Sequence, residues 1–306
     1  MEIGVSLPNL GPIADKAMVE RLAREGEELG FASLWVSDHI VLPTRMAPRY
    51  PYRAGGIPPF APDHPLLEPL ATLAYVAGLT RRALLGTSVL IIPYRNPVFT
   101  AKALATIDVL SGGRLILGAG IGWMEEEFAA LGADYPHRGE VTDEYLALMR
   151  ALWKGGETTF EGRHYRVEGI WSVPRPVRGS IPVWIGGNSP PALRRAARLG
   201  DGWHGIRLTP QEVRQARAAL GDLLRRHGRS LNGFTLSLRT ALEVTDRPLP
   251  PTRTPCTGTP EQVAEDVRAY REAGVDHLVL GARGGTLEEV VQNIRRFARD
   301  VSPLVR

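Results

Sequence analysis

The chain has 306 residues, 43% of them hydrophobic, a formal net charge of +4 and a sequence pI near 9.4. This composition predicts a globular protein with a large core. Arginines are interleaved with acidic residues along the chain, so we expect no nucleic-acid partner despite the positive charge. Because no run of eighteen apolar residues occurs, we expect no membrane partner. The single cysteine, Cys256, and the lack of a basic and then apolar leader favour a cytoplasmic protein without disulfides.

Eight short apolar segments have the composition of parallel strands that are buried on both faces. In chain order the predicted strands are 3–7, 34–37, 84–91, 115–118, 183–186, 202–206, 234–242 and 277–280. The segments between them have helical spacing, with apolar stripes such as those in 18–29 and 287–297. About eight repeats of strand and helix predict one α/β domain over 1–306, a (β/α)8 TIM barrel with loop insertions.

Three segments are insertions that lengthen the connections between predicted strands and helices, at about 39–65, 155–181 and 246–258. We interpret 155–181 as a small hairpin with a Pro-rich return. The segment 39–65 directly follows a strand, where barrels build their ligand sites, and it is a candidate lid or pocket wall. A surface loop without a function is the alternative.

Asp38 and His39 come directly after the second predicted strand. An imidazole there can donate or accept a proton near neutral pH, and Asp38 could fix its orientation or anchor the loop. A histidine that only hydrogen-bonds to backbone groups is the alternative. In strand 84–91, Thr87 and Ser88 interrupt an apolar run, so their hydroxyls either face a ligand or satisfy neighbouring backbone groups.

Gly118, Gly120 and Gly122 lie at the end of the fourth predicted strand. Their G-x-G-x-G spacing differs from the G-x-G-x-x-G pattern of dinucleotide-binding folds. Glycines at a strand end let a flat ring approach the backbone closely, which suggests a planar cofactor. A turn that needs glycine for its conformation alone is the alternative.

Gly186, Gly187, Asn188 and Ser189 join the fifth predicted strand to a Pro-initiated helix. Free backbone amides at a helix start form an anion site, so we predict phosphate binding here. Asn188 or Ser189 acting only as a helix N-cap is the alternative. No H-E-x-x-H, paired C-x-x-C or close His/carboxylate cluster occurs, so we predict no metal.

Taken in order, these four motifs resemble the luciferase-like monooxygenase family over about 3–297. The runs 118–123, 126–128, 138–139 and 143–146 resemble the branch that uses the deazaflavin coenzyme F-420. One position departs from a part of that family: Ile121 stands where its sugar-phosphate dehydrogenases have an acid. This departure argues against that reaction and leaves His39 as the proton-transfer group, unless Glu125 or Glu126 turns inward.

The resemblance implies a role for each motif. Asp38 and His39 would be the catalytic pair at the cofactor edge, with His39 near the redox-active carbon. Ser88 and Val89 would form a bulge behind the ring, often with a cis peptide bond. The other implied cofactor contacts are Gly118, Gly120 and Gly122 at the ring and Gly186, Gly187, Asn188 and Ser189 at the phosphate.

We therefore predict an oxidoreductase that transfers hydride between coenzyme F-420 and a small organic substrate, in a pocket roofed by 39–65. The nearest alternative is an FMN-dependent two-component monooxygenase on the same fold. A non-catalytic flavin-binding protein and a phosphate-binding barrel lyase or isomerase are further alternatives. The resemblance also implies a homodimer.

Overall fold

The computed structural model describes residues 1–47, 49–52, 55–58 and 60–305. Its strands are, in chain order, β1 (Glu2–Ser6), β2 (Ser33–Val36), β3 (Leu84–Thr87), β4 (Leu90–Ile91), β5 (Leu115–Gly120), β6 (Glu157–Glu161), β7 (Arg166–Trp171), β8 (Val183–Gly186), β9 (Gly202–Ile206), β10 (Thr235–Val244), β11 (Thr257–Gly258) and β12 (His277–Ala282). The helices are α1 (Lys16–Glu28), α2 (Pro69–Leu79), α3 (Pro97–Ser111), α4 (Glu125–Ala130), α5 (Arg138–Lys154), α6 (Pro190–Leu199), α7 (Pro210–Arg226), α8 (Pro260–Glu272), α9 (Leu287–Arg296) and α10 (Ser302–Val305), with a 3-10 turn at Ile92–Tyr94 and a π-helical turn at Phe297–Val301.

Eight of these strands close into a parallel barrel. The order is β1-β2-β3-β5-β8-β9-β10-β12, and β12 pairs with β1 to complete the circle. All eight predicted strands are present, so the (β/α)8 prediction is confirmed. Two of them differ in detail. The predicted strand 84–91 is split into β3 and β4 by a bulge, and β5 continues to Gly120 because its glycines keep an extended backbone.

The helices begin where the sequence supplies caps. Capping boxes open α7, α8 and α9, in which Thr209, Thr259 and Thr286 each accept a bond from the amide three residues on. Proline occupies the first turn of α7 and α8, where no amide partner is needed. The apolar stripes of α1 and α9 are buried against the barrel, as their spacing predicts. In the described ranges no helix is both long and apolar enough to cross a bilayer.

The predicted insertions lie outside the barrel wall. The hairpin expected within 155–181 is confirmed as the antiparallel pair β6–β7. The short strand β11, at the end of 246–258, pairs with the carboxyl end of β10. The segment 39–65 follows β2 at the carboxyl end of that strand. The side-chain amide of Asn9 holds the two ends of the segment together by donating to the carbonyls of Ser37 and Leu67.

Inside the barrel, a layer of aromatic and polar side chains packs beside the aliphatic side chains of Ile116 and Val279. Trp35 stacks on His204 with ring centroids 5.1 Å apart and an angle of 9° between the planes. His204 bonds the hydroxyl of Ser237 at 2.8 Å, and His277 bonds that of Ser33 at 2.6 Å. Both imidazoles are therefore satisfied without a charged partner.

These two histidines make stability depend on pH. Burial lowers the pKa of His204 to about 3 and that of His277 to about 4, from 6.5. Below pH 6.5 the unfolded chain binds protons that the folded protein does not, so the free energy of unfolding decreases as the pH is lowered. By pH 5 we expect a loss of about 2 kcal/mol for each histidine.

Urea unfolding at pH 7, 6 and 5 measures this loss. We expect the free energy of unfolding to depend less steeply on pH in His277→Gln than in the wild-type protein. The matched variant His227→Gln changes an exposed histidine, and we expect it to keep the pH dependence of the wild-type protein. An unfolding midpoint that stays constant from pH 7 to pH 5 would contradict the assignment.

Candidate active site

The predicted catalytic residue His39 is held by a glutamate from another part of the chain. His39 Nδ1 lies 2.6 Å from an oxygen of Glu127 on α4, and both side chains are buried. The hydroxyl of Tyr94 donates to the same oxygen at 2.9 Å, and the amides of Ile40 and Val41 donate to the other at 2.6 and 3.2 Å. The carboxylate thus fixes the imidazole as the Nδ1–H tautomer and leaves Nε2 for exchange of a proton.

The charge on Glu127 is maintained by these donors. Burial raises the pKa of the Glu127 carboxyl, but the bonds from His39, Ile40 and Tyr94 outweigh burial and bring that pKa below its ordinary value. Burial, together with the Glu127 charge, raises the pKa of Tyr94, which stays a neutral donor. Glu127 is therefore the acceptor of all these hydrogen bonds, and only Nε2 of the His39 ring is left to exchange a proton.

Glu127 is the residue that sequence reasoning missed. The sequence leaves open whether Glu125 or Glu126 turns inward, and in the structure both bind the 39–65 insertion: Glu125 pairs with Arg49, and Glu126 accepts from the amide of Ala47 at 2.9 Å. Three consecutive glutamates begin the short helix α4, so the sequence gives no signal that singles out Glu127.

Asp38 anchors the loop. Its carboxylate receives two bonds from Arg95, at 2.7 and 2.9 Å, and a third from the amide of Ile91 at 2.8 Å. Burial raises the pKa of Asp38, and the Arg95 guanidinium opposes that rise. Of the two roles considered for Asp38, these contacts support anchoring, since Glu127 holds the His39 ring.

Aromatic side chains cover His39 from the insertion and from the loop after β5. The ring centroids of Phe60 and Trp123 lie 5.2 and 6.1 Å from that of His39. Tyr50 packs on Trp123 at 5.2 Å. Two surface cavities, of about 250 and 240 Å³, lie at α1–α2 and at the amino-terminal end of the barrel, and neither includes His39.

The bulge between β3 and β4 has the geometry that the resemblance implies. The peptide bond between Ser88 and Val89 is cis. The Ser88 hydroxyl bonds His204 Nε2 at 2.8 Å, and the Ser88 carbonyl accepts from Arg239 Nη1 at 3.2 Å. Ser88 therefore joins the strand ends to the polar layer inside the barrel.

Gly118 and Gly120, predicted to let a flat ring approach the backbone, instead leave room for this bulge. A Cβ on Gly118 would overlap the carbonyl of Thr87, and one on Gly120 or Gly186 would overlap the side chain of Val89. The protein's own bulge, and not an open space, occupies the side where these Cβ atoms would lie. Gly122 has a φ of +77°, and a Cβ there would meet Phe128 and Ile91.

The turn from β8 to α6 is partly committed to internal bonds. Asn188 exchanges two bonds with the backbone of Ile206, at 2.8 and 3.1 Å. Ser189 is the N-cap of α6, and Pro190 and Pro191 supply no amide. The Gly187 amide donates to the carbonyl of His204 at 3.2 Å. For an anion, this turn therefore offers the amides of Asn188 and Ser189, fewer donors than an ordinary helix start.

A parallel barrel with a buried His–Glu pair at its strand ends defines an enzyme scaffold, and comparison identifies its family. Residues 1–248 match the luciferase-like monooxygenase family. The chain belongs to this family and is an oxidoreductase. In the part of the chain that the structure describes, no group of three His, Cys, Asp or Glu side chains is placed to hold a metal ion.

One relative and two solved structures are similar to this chain over most of its length. An F420-dependent glucose-6-phosphate dehydrogenase of Nocardia farcinica is 30% identical over 332 residues, which cover 92% of this chain and 91% of the relative. The fold is similar to that of the monooxygenase RslO1 of Streptomyces bottropensis, with a TM-score of 0.80, 21% identity and 99% of each chain covered. It is also similar to an F420-dependent secondary alcohol dehydrogenase, with a TM-score of 0.79, 18% identity and coverage of 100% and 99%.

The packing of the bulge predicts a large effect of one methyl group. We expect Gly118→Ala to lower the free energy of unfolding by about 3 kcal/mol or more, because the overlap is with backbone that has no room to move. Gly78→Ala is the matched control: it is exposed on α2 with no atom within 4 Å, and we expect it to stabilise the protein by roughly 0.5–1 kcal/mol. Equal urea midpoints for Gly118→Ala and the wild-type protein would contradict this packing.

Proposed function

We propose that the protein transfers hydride between coenzyme F-420 and a small organic substrate bound beneath the 39–65 insertion. The observation that carries this proposal is the buried His39–Glu127 pair at the carboxyl ends of the strands, under an aromatic cover. The F420-dependent names of two relatives support the choice of cofactor. Ile121 argues against the sugar-phosphate reaction that those names carry.

The residues present fit such a cofactor. Val89 packs into the glycine positions and presents a continuous, bulged surface at the strand ends, against which a flat ring can lie. The ring would contact Ser88 and Val89, and its phosphate would be held by the turn from Gly187 to Ser189. When bound, the deazaflavin ring supplies the chemistry of hydride acceptance and donation.

The chain's own residues manage the proton and the water. With Nδ1–H bound to Glu127, His39 can take or give a proton only at Nε2. Glu127 stabilises the charged imidazolium when that proton is taken. Phe60, Tyr50 and Trp123 exclude water from this ring, which strengthens the interactions of the charged pair. This arrangement weighs against a non-catalytic flavin-binding role.

The FMN-dependent monooxygenase is the second candidate, because the family and a similar structure carry monooxygenase activity in their names. Titration of the ligand-free protein with F-420 and with FMN, followed by fluorescence, separates the two. We expect a Kd for F-420 at least about tenfold lower than that for FMN, a difference of about 1.4 kcal/mol. Preference for FMN, with oxygen consumption by the reduced complex, would establish the monooxygenase, and binding of neither would overturn both.

The role of Glu127 is tested at His39 itself. In ¹⁵N NMR of the histidine-labelled protein, we expect neutral His39 as the Nδ1–H tautomer, and we expect Glu127→Gln to disturb this signature. Loss of a positioned acid–base group costs about 10²- to 10⁴-fold in rate, so we expect His39→Gln to reduce turnover of F-420 by about that factor and Glu127→Gln by less.

Glu126→Gln is the matched control for this experiment, because Glu126 lies on the same helix and binds only the insertion backbone among the contacts described. We expect it to leave the His39 signature unchanged. A His39 tautomer that is the same in Glu127→Gln and in the wild-type protein would remove Glu127 from the proposal and leave the hydride transfer to be judged by the titration.

A further inference from the structure

Arg239 on β10 is a cation whose partners are all neutral. Its Nη1 donates to the hydroxyl of Ser37 at 2.8 Å and to the carbonyl of Ser88 at 3.2 Å. Among the described residues no Asp or Glu forms an ion pair with it, whereas such pairs hold the little-exposed side chains of Arg95, Arg195 and Arg253. The five residues outside the described ranges are proline, arginine and alanine, and carry no acidic side chain.

The surroundings of Arg239 do not compensate its charge. Burial lowers the pKa of the Arg239 guanidinium from its ordinary value, Tyr50 opposes this effect, and the guanidinium of Arg207 adds to it. His204, which shares Ser88 with Arg239, is neutral because burial and Arg239 lower its pKa to about 3. Arg239 still keeps part of its surface accessible, so it faces a space and not solid packing.

One edge of the Arg239 guanidinium is free to bind. Within the described structure only Nη1 donates, which leaves Nε and Nη2. These two nitrogens share one edge of the planar group and match the two oxygens of a carboxylate or a similar delocalised anion. The bound residue Ser37 directly precedes Asp38 and His39, so this edge lies at the same strand ends as the proposed reaction.

We propose that Arg239 binds an anionic oxygen of the ligand that reacts beside His39. A largely buried charge is unfavourable unless it is paired, and the residues that the structure describes supply no acidic partner. The anion is either the ionised ring of the reduced cofactor or a carboxylate of the substrate. This inference rests on the proposed function for the reaction, while the anion site itself rests on the contacts of Arg239.

The test compares Arg239→Met with Arg226→Met, which removes the same charge from an exposed position on α7. Calorimetric titrations use oxidised F-420, reduced F-420 without oxygen, and sodium benzoate as an aromatic carboxylate probe. We expect Arg239→Met to raise the Kd for reduced F-420 or for benzoate at least about tenfold and to change the Kd for oxidised F-420 little. We expect Arg226→Met to bind all three ligands like the wild-type protein.

Weaker binding of reduced F-420 assigns the anion to the cofactor, and weaker binding of benzoate assigns it to the substrate. We expect Arg239→Lys, which keeps the charge without the two-nitrogen edge, to fall between.

Thermal melting without ligand separates binding from folding. Because the charge is unpaired in the ligand-free protein, we expect Arg239→Met to melt at the same temperature as Arg226→Met or higher. A lower melting temperature for Arg239→Met, or unchanged binding of both reduced F-420 and benzoate, would overturn the inference. If the wild-type protein binds neither F-420 nor FMN, the proposed function fails, and the benzoate titration still decides whether Arg239 is an anion site.

Discussion

The buried carboxylate of Glu127 is the contact on which the arrangement of the site depends. A charge without water must be satisfied by donors, and here the donors to this residue of α4 come from two separate parts of the chain: His39 with the two amides that follow it, and Tyr94 after β4. Each donor is thereby fixed relative to the others. The orientation of the imidazole, the path of the chain out of β2 and the position of α4 are consequences of one buried charge.

A second constraint is steric and acts on the backbone. Val89 fills the volume that side chains would take at Gly120 and Gly186, and Thr87 fills that at Gly118. The two strands β5 and β8 can approach the bulge only because these three positions lack a Cβ. Ser88 is consequently held where its carbonyl meets Arg239 and its hydroxyl meets His204. The glycines therefore shape the site through the neighbouring strand and not through an open wall.

The sequence predicts the barrel well because strands buried on both faces are short, apolar and regularly spaced. His39 is predicted because it directly follows such a strand. Glu127 is not, since three consecutive glutamates begin a six-residue helix and no periodicity shows which of them faces inward. Arg239 had a readable signal: Leu236 and Leu238 pack in the core, so the alternate residues Ser237 and Arg239 point into the barrel.

The polar groups of the site and the cover over it differ in how firmly they are held. Glu127 and Asp38 are each bound by several donors, from the residues that follow β2 and from those in and just after β4. Beyond Val41, the 39–65 insertion is held to α4 by the pair of Arg49 with Glu125, whose side chains are 57% and 51% exposed, and by the bond from the Ala47 amide to Glu126. The carbonyl of Tyr52 also accepts a bond from Arg207 at 2.8 Å.

A surface pair of this kind contributes about 0–1 kcal/mol, and the aromatic contacts of Tyr50 and Phe60 each add about 0.5–1.5 kcal/mol. Lifting this part of the insertion therefore costs less than disturbing the buried contacts of His39 and Glu127. The proposed entry of a substrate beneath the insertion needs this difference in free energy, because the cover must move while the groups that would act on the substrate stay in place.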